Sequence, residues 1–297
     1  MDRKSIFCIV LTAFCFGTME IALKLGGSAF TPLQLTFLRF LIGGLFLLPF
    51  AVRDAKKRAL RLTAGDVAWL ALIGVVGVCL SMTLFQLGVM NCNANTAAVV
   101  IASNPVFTML FAYFLLSEPF TERKALVLAI SLVGLVFVAN PFNMAEGNTA
   151  KGLIAVGVAS VLFGLYTALG KKRVGKLGGM VQNAGSFLIA SVIELIVLLL
   201  KGEPVVSGIT ASSLPVLLYT GVVVTGIGYF AYLRAIELAG PSNASIAFFI
   251  KPVIAVILAA IILSEPITWN VVLGVALVLT GSVINMTTPK RSVERGE

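Results

Sequence analysis

Lys251 is the one cation in the apolar run 243–263, and it stands directly before Pro252. A cationic side chain at the centre of a bilayer costs ~2.5–3.5 kcal/mol on insertion scales, so such a residue is read as a site. Its ammonium can hold a carboxylate or a phosphate. It can equally be a structural lysine, neutralised by a buried carboxylate or by backbone carbonyls. Glu20 is the acid in the run 6–25. It can take an ammonium, carry a proton, or pair with Arg39, which lies at similar depth in the run 33–52. Glu194, in the run 180–200, is expected to be paired or turned to an interface.

Polar side chains with apolar neighbours form a second group: Gln86, Ser103, Asn104, Tyr166, Thr167, Tyr229 and Tyr232. They can contact a small molecule, or they can join helices with hydrogen bonds typically worth under about 1 kcal/mol each. Pro105 and Pro252 each remove a helix hydrogen bond and kink the chain, leaving a carbonyl one turn earlier for a ligand or ion. Gly17, Gly164, Gly226 and Gly228 suit close packing or gating. The chain has no histidine, which removes the commonest metal ligand and general base. Cys8, Cys15, Cys79 and Cys92 form no Cys-x-x-Cys pair and read as packing residues. Gly164 to Lys172 departs from a phosphate-binding loop in glycine spacing and in its last residue. No cofactor, metal or catalytic residue is expected. Asn243-Ala244-Ser245 matches a glycosylation pattern by accident, since it falls near the cytoplasmic face.

The elements that must carry these residues follow from composition. Apolar residues make up 59% and charged residues 12% of the 297, with mean hydropathy +1.03. A soluble domain holds about 45–50% and ~25%. Runs long enough to cross the hydrocarbon fall at 6–25, 33–52, 67–90, 97–116, 124–140, 152–172, 180–200, 213–236, 243–263 and 269–287. With the N-terminus inside, 17 of the 22 Lys and Arg fall in inner segments and only Lys24, Lys151 and Lys201 in outer ones. That asymmetry puts both termini in the cytoplasm, with Trp69 and Trp269 as interfacial anchors. The +9 charge then belongs to cytoplasmic loops rather than to a nucleic-acid surface. The apolar start is not a removable signal, because it has a twin later in the chain.

That twin belongs to a repeat at a spacing of 147 residues. Asn104-Pro105-Val106 returns as Lys251-Pro252-Val253, and Ser117-Glu118-Pro119 returns as Ser264-Glu265-Pro266. Phe40-Leu41-Ile42 returns as Phe187-Leu188-Ile189, and Thr167 stands opposite Glu20. The expected fold is an all-α polytopic membrane protein of ten transmembrane helices, in two five-helix repeats, 1–147 and 148–297. Five spans per copy invert the second relative to the first, so Glu118 faces inside and Glu265 outside. Inverted repeats suit alternating access around a midplane site.

The paired Pro-Val segments, the two Glu-Pro-x-Thr turns (Glu118 to Thr121, Glu265 to Thr268), Gly134 and Gly281, and Arg39 resemble the drug/metabolite transporter superfamily, in its ten-helix EamA-type branch. The resemblance covers nearly the whole chain. It implies a basket of helices in which the first, third, fourth, sixth, eighth and ninth line a central cavity and the fifth and tenth sit outside. It also implies secondary transport of a small metabolite, often export. Lys251 departs from the apolar or small polar residue expected before that proline. With Glu20 it favours an amino acid or an organic anion as substrate. A drug, sugar or nucleoside exporter is the alternative. An intramembrane enzyme would need a nucleophile or metal that these runs lack, and a channel would not need the inverted repeat. The expected partners are a small-molecule substrate, the lipid of the cytoplasmic membrane and a coupling proton or cation, with no nucleic acid and no oligomeric state implied.

Overall fold

The computed structural model describes residues 2–140, 144–244 and 246–286. Pro141, Ser245 of the glycosylation pattern, and Lys290, Arg291 and Arg295 of the inner cations lie outside them. Every regular element among the described residues is a helix. In chain order these are α1 (Arg3–Gly17), α2 (Met19–Gly26), α3 (Pro32–Lys57), α4 (Ala64–Gly74), α5 (Thr83–Asn91), α6 (Ala94–Ile101) and α7 (Asn104–Leu116). They are followed by α8 (Glu122–Ala139), α9 (Ala150–Leu177), α10 (Gly179–Lys201), α11 (Leu214–Leu218), α12 (Gly228–Ala244), α13 (Ile246–Leu263) and α14 (Trp269–Met286). Two π-helical stretches, Val75–Met82 and Tyr219–Ile227, join α4 to α5 and α11 to α12. Among the described residues, eight helical runs are long and apolar enough to cross a membrane. α8 differs from them in carrying Glu122, Arg123 and Lys124 in its first turn.

The repeated Ser-Glu-Pro-x-Thr segment is a helix stop followed by a helix start. Ser117 and Ser264 take left-handed φ of 53° and 54°. The next amide then turns back, Glu118 N to Ala112 O at 3.3 Å and Glu265 N to Ala259 O at 3.2 Å. Thr121 and Thr268 accept from the amides of Lys124 and Val271 and so begin α8 and α14. A threonine oxygen satisfies an amide that the first turn leaves open. Thr31 with Gln34 and Thr63 with Asp66 make full capping boxes at α3 and α4.

Contacts between the halves exchange in pairs. Gly17 of α1 packs against Ile254 of α13, and Gly164 of α9 against Phe107 of α7, each residue shifted by 147. Gly134 meets Val278 and the carbonyl of Gly274, while Gly281 meets Ser131 and the carbonyl of Val127. A Cβ at any of these glycines would strike its neighbour, which is how small residues bring membrane helices together. Phe40 and Phe187, equivalents in the repeat, meet edge to face at 4.8 Å where α3 crosses α10. Such reciprocity is what a two-fold relation between halves requires.

The two halves differ at their central helices. Both prolines were expected to kink a continuous span. Instead Pro105 opens α7 after a break at Ala102 and Ser103, whereas Pro252 stays inside an unbroken α13. A tightened turn at Thr18 likewise interrupts the first span, while α9 runs through the equivalent position. Thr18 bonds back to the carbonyl of Cys15 at 3.1 Å and across to Tyr219 Oη at 2.7 Å.

Candidate functional site

α2 and α13 bring Glu20 and Lys251 together. The ammonium lies 2.8 Å from Glu20 Oε1, with the two side chains 0% and 7% exposed. The approach falls off hydrogen-bond angles, and both oxygens of Glu20 lack a hydrogen-bond donor. Opposite charges this close and this buried interact strongly at any orientation. Glu20 stands in the first turn of α2, just after the turn at Thr18. The partner of Glu20 is therefore Lys251 rather than Arg39. Lys251 is correspondingly a neutralised cation here, not a free one.

The equivalents of this pair are neutral and turn back on their own helices. Asn104 Nδ2 donates to Ile101 O at 2.9 Å. That carbonyl is the one whose helical partner Pro105 removes, so the asparagine repairs the break that the proline makes. Thr167 donates to Phe163 O at 2.8 Å. Ser103 bonds Ser160 at 3.1 Å, Tyr166 bonds Asn183 at 3.1 Å, and Gln86 Nε2 bonds Leu23 O at 3.0 Å. These five join or brace helices. Tyr229 packs edge to face on Phe16 at 5.2 Å and on Phe187 at 5.0 Å. Tyr232 packs on Phe248 at 5.1 Å.

Two residues gain importance from the structure. Arg39 is 1% exposed, lies over the Phe40 ring at 4.6 Å, and makes no ion pair or hydrogen bond among the described residues. Glu194, expected to be paired or at an interface, is fully buried and accepts from Thr83 at 3.1 Å. Both are single ionisable residues in apolar runs, and that was their signal. They sit on different helices, α3 and α10.

At one end of the molecule Glu265 closes a clasp. It accepts from the amides of Ala94 at 2.7 Å and Asn95 at 3.0 Å, and pairs with Lys24 at 3.2 Å. A carboxylate on the first amides of α6 joins hydrogen bonding to the helix dipole. The Lys24 ammonium also donates to the carbonyl of Cys92. The equivalent acid, Glu118, has a side chain 43% exposed and among the described residues pairs only with Lys124, at 3.5 Å. The equivalent of Lys24 is Lys171, an exposed residue with no ion pair among the described residues. The equivalents of Ala94 and Asn95, Pro241 and Ser242, lie in the last turn of α12 rather than at a helix start.

Sequence profiles of the EamA-like transporter family match residues 3–140 and again 150–287. The chain belongs to the EamA-like transporter family. It is 40% identical over 296 residues to an uncharacterized transporter of Clostridium kluyveri, covering 98% of this chain and 95% of that one. It is 26% identical to the uncharacterized inner membrane transporter YedA of Escherichia coli, covering 82% and 78%. A probable terminal-alkyne amino-acid exporter of Streptantibioticus cattleyicolor is 24% identical, covering 95% and 93%. A solved crystal structure superposes with TM-score 0.67 over 96% of this chain and 97% of that one, at 18% identity, and so shares the fold. This EamA-family member is a multi-pass membrane transporter, as its apolar helices and its relatives agree.

Proposed function

We propose that this transporter exports a small metabolite, an amino acid or an organic anion, across the cytoplasmic membrane by alternating access. The two repeats, 1–147 and 148–297, are taken as inverted five-helix units with both termini in the cytoplasm. The observation that carries the reading is the unequal state of two equivalent clasps. The Glu265 clasp is made and the Glu118 clasp is not. If the repeats are inverted, these clasps lie on opposite faces, and a chain with one closed and one open has access from one side only. The excess of Lys and Arg in alternate loops supports that orientation. The Streptantibioticus relative, a probable amino-acid exporter, supports an amino acid and export.

In this reading Lys251 and Glu20 form the central latch. A proton taken by Glu20, or a substrate ammonium beside it, releases Lys251 to hold an anionic group. Gln86, Ser103, Asn104, Tyr166, Thr167 and Tyr229 surround the path, and Pro105 and Pro252 mark where the central helices bend. The test is counterflow of labelled amino acids and organic anions in proteoliposomes, with cysteines placed at positions 118 and 265 and labelled from each side. Exchange of at least one compound and labelling from opposite sides are expected. No exchange, or labelling of both from one side, ends the reading.

A further inference from the structure

The last turns of α3 hold their charges unequally. Asp54 and Arg58 pair at 2.9 Å, and the pair lies against Gly178 where α9 meets α10. The side chains of Arg53, Lys56, Lys57 and Arg61 are exposed and make no ion pair or hydrogen bond among the described residues. Two of these four stand in a groove. Val52, Ala55, Lys56 and Ala59 are spaced three and four apart, so they share one face of the helix. With Leu60 and Arg61 they line an open groove of about 370 Å³.

A particular turn closes it. Ala59 takes a left-handed φ of 47°, which glycine usually supplies at a helix end. The amides of Ala59 and Leu60 turn back to Lys56 O at 3.1 Å and Ala55 O at 2.9 Å. Leu60 packs against the core, so the chain is anchored just before Arg61 and brings it to the groove that Lys56 lines. The repeat does not reproduce this arrangement. At the spacing of 147, Lys56 returns as Glu203 and Arg61 as Gly208. Glu203 accepts from Thr31 at 3.0 Å. The preference of inner loops for cations accounts for the side on which Lys56 and Arg61 lie. It does not call for an apolar floor of Val52, Ala55, Ala59 and Leu60 beside them.

We propose that this groove seats an anionic phospholipid, with its phosphate at Lys56 and Arg61 and an acyl chain along Val52 and Ala55. Charge complementarity selects the headgroup. Position selects a lipid over a soluble anion. The groove starts on a membrane-spanning helix and ends just beyond it. Its apolar part therefore lies toward the hydrocarbon and its cations at headgroup level, where basic residues beside a span meet anionic lipid. The seat uses neither the Glu20–Lys251 latch nor either clasp.

The test is native mass spectrometry of detergent-purified full-length protein. The probes are a phosphatidylglycerol, a phosphatidylcholine with the same acyl chains, and glycerol 3-phosphate, which has no chains. Each cation near an anionic surface is worth about fivefold in affinity, so phosphatidylglycerol should bind roughly twenty-five-fold more tightly than phosphatidylcholine. Lys56→Gln with Arg61→Gln should remove that advantage. Lys57→Gln with Lys172→Gln takes the same charge from exposed positions outside the groove and should keep most of it. If the groove variant does not fold, the single variants decide, and each should lose about fivefold. Equal affinity for the two lipids overturns the assignment, as do equal losses in the two double variants or single losses no larger than that of Lys57→Gln. Glycerol 3-phosphate binding as tightly as phosphatidylglycerol also overturns it, and makes the occupant a soluble phosphate.

Discussion

Lys251 and Glu20 are each costly where they stand, and each makes the other tolerable. Removing one partner of a buried pair leaves an uncompensated charge and costs about 3–5 kcal/mol, whereas removing both is far less harmful. Lys251→Met and Glu20→Gln are therefore each expected to lower the melting temperature, and the double variant to recover much of the loss. Additive melting shifts in the three variants would show that the 2.8 Å contact carries no interaction energy. The double variant also separates structure from transport. If the pair is a latch, the recovered protein is stable but transports poorly, and its rate no longer varies with pH. The sequence marked both residues as expensive but offered two partners for Glu20. Depth along a helix does not say which way a side chain points, and Arg39 at similar depth faces Phe40 instead.

At the scale of elements, one substitution has different consequences in the two halves. Pro105 begins α7 and Pro252 sits within α13, although both precede valine in the same repeat unit. Asn104 accounts for part of the difference, because its amide takes the carbonyl of Ile101 that Pro105 releases. Asn104→Leu should leave that carbonyl unmatched at a cost of about 1–3 kcal/mol. Adding Pro105→Ala restores an amide hydrogen there and should regain stability. Loss of transport in this stabilised double variant would show that the break is used. Equal melting temperatures for the wild type and Asn104→Leu would remove the repair role. The helices themselves were legible as apolar runs, and their ends as threonine caps and Glu-Pro turns. The breaks at Thr18 and Ala102 were not, because they depend on bonds to neighbours such as Thr18 to Tyr219, 201 positions away in sequence. The π-helical stretches were equally hidden, since no composition marks them. One of them is held by Thr225 reaching five residues back to Thr220 O at 2.8 Å.

For the whole molecule, the repeat describes a state that this conformation does not display. The contact between Gly17 and Ile254 sits 7 and 11 residues before Lys24 and Glu265, as that between Gly164 and Phe107 does before Lys171 and Glu118. The helix pairs pack alike, yet only one pair carries its ion pair. A two-fold molecule that changes face should exchange these conditions, with Glu265 leaving Lys24 as Glu118 reaches Lys171. Lys171 is available for this: Arg173 and Lys176 are held by Asp66 at 3.2 and 2.6 Å, while Lys171 has no ion pair among the described residues. In a variant with all four native cysteines replaced, cysteine pairs at 24 and 265 or at 171 and 118 can be bridged by a short bifunctional reagent. Either bridge should stop counterflow, and reduction of a cleavable bridge should restore it. A transported substrate should raise the yield of the 171–118 bridge relative to the 24–265 bridge. Full counterflow with either bridge in place, or bridge yields that a transported substrate leaves unchanged, would mean that the clasps do not alternate. Glu118→Gln gives the same answer without cross-linking. It should slow exchange several-fold and leave the melting temperature near that of the wild type, because the Glu118–Lys124 contact is solvent-exposed and such pairs are worth about 0–1 kcal/mol.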